Sequence, residues 1–241
     1  MTHRYFIEQP IDQDSATLTG PEAHHLLHVM RAKPGDQVVL FDGSGDEFLS
    51  RVEKLRRSEA DVTILGRQTV DRELPSPLSL GAALPKGDRQ RWLVEKAVEL
   101  GVTRLIPVET ERSVAQPNPK VVERLRRAVI EASKQCGRNR LMEIVSPQRW
   151  VDFLQTGDGA CVRLVAHPTP EAQPPNVLAS VSGPIMIAVG PEGGLTDDEV
   201  EQATKHGWQT VTLGPRILRI ETAALALAAL VAMNMEAQST G

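Results

Sequence analysis

Three stretches of this 241-residue chain combine residue types that could hold a ligand. Gly190-Pro191-Glu192-Gly193-Gly194 directly follows the apolar run Ile185–Val189. Leu213-Gly214-Pro215-Arg216-Ile217-Leu218-Arg219-Ile220-Glu221-Thr222-Ala223 follows a second run, and Leu164-Val165-Ala166-His167-Pro168 closes a third. Glycines let backbone approach a ligand closely and adopt conformations that other residues avoid. The Gly190–Gly194 stretch is neither G-x-x-x-x-G-K-[ST] nor G-x-G-x-x-G, no lysine follows it, and Glu192 would repel a phosphate. A ligand with a cationic centre and an adenosine fits better, with the carboxylate or backbone carbonyls facing the cation and Ile217 and Leu218 flanking a base. Taken alone, the same stretch also reads as a structural turn.

Charged residues nearby admit two readings each. Arg138 lies in a Gly-Arg-Asn-Arg turn just past a basic helix carrying Arg124, Arg126, Arg127 and Lys134. It suits an anion as well as it suits open solvent. Arg219 and Glu221 suit a ligand loop, or an ordinary ion pair at a helix start, where Glu221 complements the dipole.

The elements that must position these residues change character at Leu74-Pro75-Ser76-Pro77, where two prolines in four residues favour an extended linker. Before it, Arg4–Ile7, Gln37–Phe41, Phe48–Val52 and Asp61–Val70 read as strands. Asp42-Gly43-Ser44-Gly45 is a hairpin signal, and Pro21–Arg31 reads as a helix. These make a small barrel of residues 1–73. After the linker, residues 74–241 alternate. Leu78–Leu84, Arg104–Val108, Cys161–Ala166, Ile185–Val189 and Thr210–Leu213 are apolar strand candidates. Helices fall at Asp88–Leu100, capped by Asp88 and stopped by Gly101, at Val121–Gln135, after the capping box Thr196–Glu199, and at Glu221–Met233. Apolar strands separated by helices imply a parallel sheet covered on both faces, an α/β fold whose ligands bind beyond the carboxyl ends of the strands.

Totals narrow the class. The chain is 41% hydrophobic and 24% charged, with formal net charge −4, which excludes a disordered chain and a wholly electrostatic nucleic-acid binder. Residues 86–140 nevertheless carry thirteen Lys/Arg against seven Asp/Glu, which marks either a phosphate-contacting surface or a solvated helix face. Two cysteines, Cys136 and Cys161, fit a reducing cytoplasm without disulfides. His24, His25 and His28 read as packing or capping residues and make no metal site. The apolar stretch Ala223–Met233 is too short to span a bilayer, and the N-terminus lacks a secretory pattern, so no membrane is expected.

The order and spacing of many short motifs resemble the RsmE family of SPOUT-class methyltransferases. The matches begin with Arg4-Tyr5-Phe6, His25 to Arg31 with Gly35-Asp36, and Lys86-Gly87-Asp88-Arg89. They continue through Glu95-Lys96, Glu99-Leu100-Gly101-Val102, Glu111-Arg112-Ser113, Glu131-Ala132-Ser133, Gln135 and Gly137-Arg138. The most specific are Gly190–Gly194 and Leu213-Gly214 with Arg216–Ala223. Cys136 is a soft departure, since a serine is as common there.

The resemblance implies S-adenosylmethionine-dependent methylation of N3 of a specific uridine in 16S ribosomal RNA, with that RNA within the small ribosomal subunit as partner. It also implies a PUA-like RNA-binding β-barrel, a SPOUT domain with a C-terminal trefoil knot, and a homodimer. The cofactor would be held by Leu164, His167, Gly190, Pro191, Glu192, Gly193, Leu213, Gly214, Ile217, Leu218, Arg219, Thr222 and Ala223. Arg138, Arg219 and Glu221 are the catalytic candidates. Arg4, Arg31, Lys33, Lys86, Arg89, Arg112 and Arg138 are expected to meet RNA. Uracil N3 carries a proton, so attack on the cofactor methyl needs that proton removed or the anion stabilised, with the base taken out of its stack. The rival readings are a catalytically inactive dimeric RNA-binding protein and a nucleotide-dependent oxidoreductase. The second needs a glycine-rich turn that Leu84-Pro85-Lys86-Gly87 does not provide.

Overall fold

The computed structural model describes residues 3–115, 118–157, 161–168, 172 and 183–239. The chain divides into two compact units, Met1–Arg72 with Ser133–Leu141, and Glu73–Ala132 with Met142–Gly241.

The first unit is built on strands β1 (Arg4–Phe6), β2 (Ser15–Leu18), β3 (Gln37–Phe41), β4 (Asp46–Leu55) and β5 (Ala60–Thr69) in the order β1-β3-β4-β5-β2. The β3–β4 hairpin forms where Asp42–Gly45 predicts it, and Asp42 accepts hydrogen bonds from the backbone N–H groups of Ser44 and Ile11. Alternate residues of β4 point inward, so Phe48 and Val52 join Tyr5, Leu18, Leu26, Leu40 and Val62 in one core. β2 escapes the sequence reading because Ser-Ala-Thr-Leu is short and polar, and its pairing with β5 spans more than forty residues. The expected helix Pro21–Arg31 is also different. A short α-helix, α1 (Gly20–His24), widens into a π-helical turn, His25–Val29, and Arg31 has φ +53°. Ala23 and Leu26 both reach the core, and the His24 and His28 rings pack 4.8 Å apart outside it.

Residues 133–141 join this unit by buried polar contacts. Asn139 donates to the carbonyls of Gly45 and Val70, both at 3.3 Å, and accepts from Arg4. Arg72 donates to the Gly137 carbonyl at 2.8 Å, and Lys134 pairs with Glu22 at 2.9 Å.

The second unit is a parallel sheet. Its strands are β6 (Leu78–Ala82), β7 (Arg104–Glu109), β8 (Glu143–Ile144), β9 (Gln148–Arg149), β10 (Val162–Ala166), β11 (Ile185–Val189) and β12 (Gln209–Val211). Their order is β12-β10-β11-β6-β7-β8, with β9 also on β7. Every residue of β6 and β11 is buried, as near-continuous apolar strands require. The helices are α2 (Arg89–Glu99), α3 (Pro119–Cys136), α4 (Trp150–Phe153), α5 (Asp197–Lys205) and α6 (Ile220–Ser239). α3 crosses from this unit into the first.

α2 ends at Gly101 as expected, but Asp88 makes no side-chain cap. It is already helical at φ −68°, ψ −17°, because the turn from Gly87 to Gln90 leads straight into the helix, and a capping side chain needs extended backbone. α6 runs six residues beyond the expected Met233. At 20 residues it is long and apolar enough to cross a membrane, yet its apolar residues Ala224, Leu227, Ala228 and Val231 are buried, and it packs on α2, β6 and β11.

Two close fits hold this unit together. A Cβ on Gly81 of β6 would lie 2.2 Å from the Phe153 ring, so only glycine admits α4 against the sheet. Glu199 of α5 is buried, with Oε1 accepting from the Glu111 N–H at 2.8 Å and Oε2 from the Thr196 N–H at 2.9 Å, which completes the expected capping box. Gly81→Val should destabilise the protein by about 3 kcal/mol through overpacking, read as a lower urea midpoint. Glu199→Gln should cost about 2 kcal/mol in the same measurement, because its amide nitrogen cannot accept from one of the two backbone N–H groups.

Candidate functional site

The last residues of β10, β11 and β12 pair at one level of the sheet. Ala166 faces Val189 on one side and Val211 on the other, and Val189 in turn faces Ala82. The three chain stretches that leave these strands therefore emerge side by side and enclose a cavity of about 330 Å³. That volume lies at the lower end for small-molecule sites, which are typically roughly 300–1,000 Å³.

The first exit contributes Ala166, His167 and Pro168 to the lining. The second contributes Val189 and the whole Gly190–Leu195 run. Val211, Leu213–Leu218, Ile220 and Ala223 come from the third. Ten of the residues expected to hold a cofactor thus meet: His167, Gly190, Pro191, Glu192, Gly193, Leu213, Gly214, Ile217, Leu218 and Ala223. Leu164, Arg219 and Thr222 do not line the cavity. Leu164 lies inside β10, two residues below the strand end, and is fully buried in the sheet. α6 begins at Ile220, so its period turns Ile220 and Ala223 toward the cavity and leaves Arg219 and Thr222 exposed. Leu195 and Arg216, which sequence reasoning missed, are neighbours of the motifs; their signal was position within a strand exit rather than residue type.

The walls are mostly apolar, with Glu192, His167 and Arg216 as ionisable exceptions. Burial lowers the pKa of His167 below its ordinary value, with the charge of Asp197 acting in the opposite direction, which favours the neutral imidazole. A Cβ on Gly190 would lie 2.8 Å from the Leu195 side chain, so this position must be glycine for the loop to close as it does. The Gly190–Gly194 loop turns through a Gly194 N–H to Pro191 carbonyl bond of 2.8 Å. Ile217 is 97% exposed at the cavity mouth.

Other expected site residues fall elsewhere. Arg89 pairs with Glu192 at 2.6 Å and with Glu221 at 3.4 Å, and Arg112 donates to the Gly193 carbonyl at 2.9 Å. The hydrogen bond that Arg89 donates to Glu192, helped by the charge of Glu221, raises the Arg89 pKa further. Glu221 is 5% exposed and does not line the cavity. Arg138 is 3% exposed, which corrects the picture of a surface arginine in an open turn. Arg4 is occupied by Glu47 at 2.7 Å and by Asn139, so it braces the first unit instead of standing open to a phosphate. Arg31, Lys33 and Lys86 are exposed. Among the described residues, no group of three or more His, Cys, Asp or Glu is arranged for a metal.

The cavity residues fit an adenosine-bearing sulfonium: apolar walls for a base, a glycine-lined approach to backbone, a carboxylate, and an uncharged imidazole. Comparisons with known proteins agree with this chemistry. The RNA methyltransferase domain family matches residues 72–232, and the RNA methyltransferase PUA domain family matches residues 18–65. Ribosomal RNA small subunit methyltransferase E of Bacillus subtilis is 35% identical over 238 residues, covering 92% of this chain and 93% of the relative. The protein of the same name from Synechocystis is 33% identical, covering 89% of this chain and 72% of the relative.

Among solved structures, the Neisseria gonorrhoeae ribosomal RNA small subunit methyltransferase E bound to S-adenosyl methionine superposes with a TM-score of 0.84. It is 33% identical, over 95% of this chain and 96% of that one. A Legionella pneumophila putative methyltransferase in complex with bound SAM superposes at 0.89 with 29% identity, over 97% and 98%. Matched along nearly its whole length by relatives that share the same two domains and the same fold, this chain belongs to the ribosomal RNA small subunit methyltransferase E family of RNA methyltransferases.

Proposed function

We propose that the cavity holds S-adenosylmethionine and that the protein methylates N3 of a specific uridine in 16S ribosomal RNA, within the small ribosomal subunit. The observation that carries this reading is the convergence of three in-register strand exits on one apolar cavity, in a chain whose relatives are named for ribosomal RNA methylation. When bound, the cofactor supplies an electrophilic methyl group. The chain's own residues do the rest. Val189, Val211, Leu213, Leu218 and Ile220 exclude water and flank the adenine. Gly190 admits the ligand close to backbone, and Glu192 favours the cationic end. His167, kept neutral by burial, adds no like charge beside it.

On the substrate side the N3 proton must leave as N3 attacks, and a cation beside the uracil favours the anion that forms. Of the three residues expected to be catalytic, Arg138 is buried and Glu221 is paired with Arg89, which leaves Arg219 as the one open to solvent. Arg216, on the same exit and lining the cavity, is a second candidate. Arg31, Lys33 and Lys86 remain candidates for the RNA backbone.

The same reading includes a trefoil knot formed by the three exits, which the out-of-sequence order β12-β10-β11-β6 supports. It includes a homodimer, supported by the exposure of Trp92 on α2 and of Leu230 and Met233, one helical turn apart on α6, at 46%, 40% and 71%. Its setting would be the cytoplasm, where the thiols Cys136 and Cys161, neither of them in a disulfide, stay reduced. An inactive RNA-binding dimer is disfavoured by the open, glycine-lined cavity.

Mass spectrometry of ribosomal RNA from a deletion strain should show loss of one N3-methyluridine and its return on complementation; an unchanged modification profile sinks the assignment. Gly190→Val should weaken S-adenosylmethionine binding by more than about tenfold in calorimetry, because the side chain collides with Leu195. Arg219→Ala should lower kcat by roughly 10²-fold with cofactor affinity nearly unchanged.

A further inference from the structure

We infer that Arg89 is a positioning residue that ties together two of the three loops around the cofactor cavity, and not a contact to the RNA backbone. This rests on the assignment of the cavity to S-adenosylmethionine. One guanidinium nitrogen, Nη1, reaches Glu192 of the Gly190–Gly194 loop at 2.6 Å and Glu221 at the head of α6 at 3.4 Å. Glu192 lines the cavity, and Glu221 sits between the lining residues Ile220 and Ala223. A single side chain from the first turn of α2 therefore spans the second and third strand exits.

Charge argues against the alternative. Affinity for phosphate depends on a cation that is free to replace condensed counterions. The positive charge of Arg89 already faces two carboxylates, so the cluster carries a net −1 and would repel a phosphate. Burial strengthens the tie to Glu221. That carboxylate is 5% exposed, and its Oε2 is withdrawn from solvent with no hydrogen-bond partner among the described residues. A buried carboxylate with one oxygen unpaired is costly, so Glu221 keeps its hold on the Arg89 guanidinium. Arg112 acts on the same loop from a second direction, donating to the Gly193 carbonyl at 2.9 Å, with its side chain against the space where a Gly193 Cβ would stand. The loop is thus held from outside by two arginines, one from α2 and one from the turn after β7, and its inner face is left to the ligand.

The test is to measure S-adenosylmethionine binding by calorimetry, methyl-transfer kinetics, and binding of unmodified small-subunit ribosomal RNA across a salt series. The proteins are wild type, Arg89→Ala, Arg89→Lys, Glu192→Gln, the Arg89→Ala/Glu192→Gln double variant, and Gly190→Val. A positioning role requires Arg89→Ala to raise the cofactor Kd and KM by about three- to tenfold, with kcat at saturating cofactor within about twofold of wild type. Arg89→Lys should recover part of the loss. The double variant should be weaker than wild type by less than the product of the two single effects. RNA affinity and its salt slope should stay at the wild-type values.

If Arg89→Ala leaves cofactor binding unchanged and lowers both RNA affinity and the salt slope by about one phosphate contact, the inference is overturned. Fully multiplicative effects in the double variant overturn the tie to Glu192. Gly190→Val separates the two levels. If it too leaves cofactor binding intact, the cavity assignment itself fails; if it abolishes binding while Arg89→Ala does nothing, only the tie fails.

Discussion

Everything at the candidate site depends on the in-register parallel pairing of β12, β10, β11 and β6. Parallel strands deliver their carboxyl ends to the same side of a sheet, and here Val211, Ala166, Val189 and Ala82 finish at one level. The cost is complete burial of β11 and β6, whose backbone and side chains are removed from water on both faces. Helices must cover those faces, and α6 does so while growing directly out of the third strand exit. The element that shields the sheet is also the one that ends the cavity, at Ile220 and Ala223.

Charge is organised around that frame mainly by internal pairing. The stretch 86–140 has an excess of six basic residues, the difference between thirteen and seven, but many of its cations are already engaged. Arg89 and Arg112 hold the Gly190–Gly194 loop, Arg124 donates to Gln90, Lys134 pairs with Glu22, and Arg138 is buried. Formal charge therefore overstates the phosphate-binding capacity of this stretch. The acidic side is similar: Glu199 and Glu221, both buried, are bonded by backbone N–H groups or by arginine. Buried carboxylates of this kind fix loop geometry, because releasing either partner would leave a polar group unsatisfied away from water.

Particular elements show what local sequence could and could not reveal. Hairpin, capping box and helix stop were legible at Asp42–Gly45, Thr196–Glu199 and Gly101 because each depends on residues within one turn of the chain. β2 was not, since its stability comes from a partner strand far away in sequence. The π-helical turn at His25–Val29 was hidden because its spacing of apolar residues still resembles an α-helix. Residues 133–135 read as the end of a basic helix and Gly137–Arg140 as a turn beyond it, whereas Asn139 and Gly137 place this stretch with the first unit through bonds to Arg4, Gly45, Val70 and Arg72.

By itself the sequence determined the alternation of strands and helices after residue 74 and the three strand exits, two of which carry the glycines. These follow from periodicity, turn residues and apolar runs, all local properties. Only the tertiary structure decided which exit residues face the cavity, turning Ile220 and Ala223 inward while Leu164 sinks into the sheet and Arg219 and Thr222 turn out. It also decided which arginines are free, drawing Arg89 to Glu192 and Glu221 and burying Arg138. Side-chain direction and charge pairing depend on what stands opposite across the fold, and linear spacing holds no record of that.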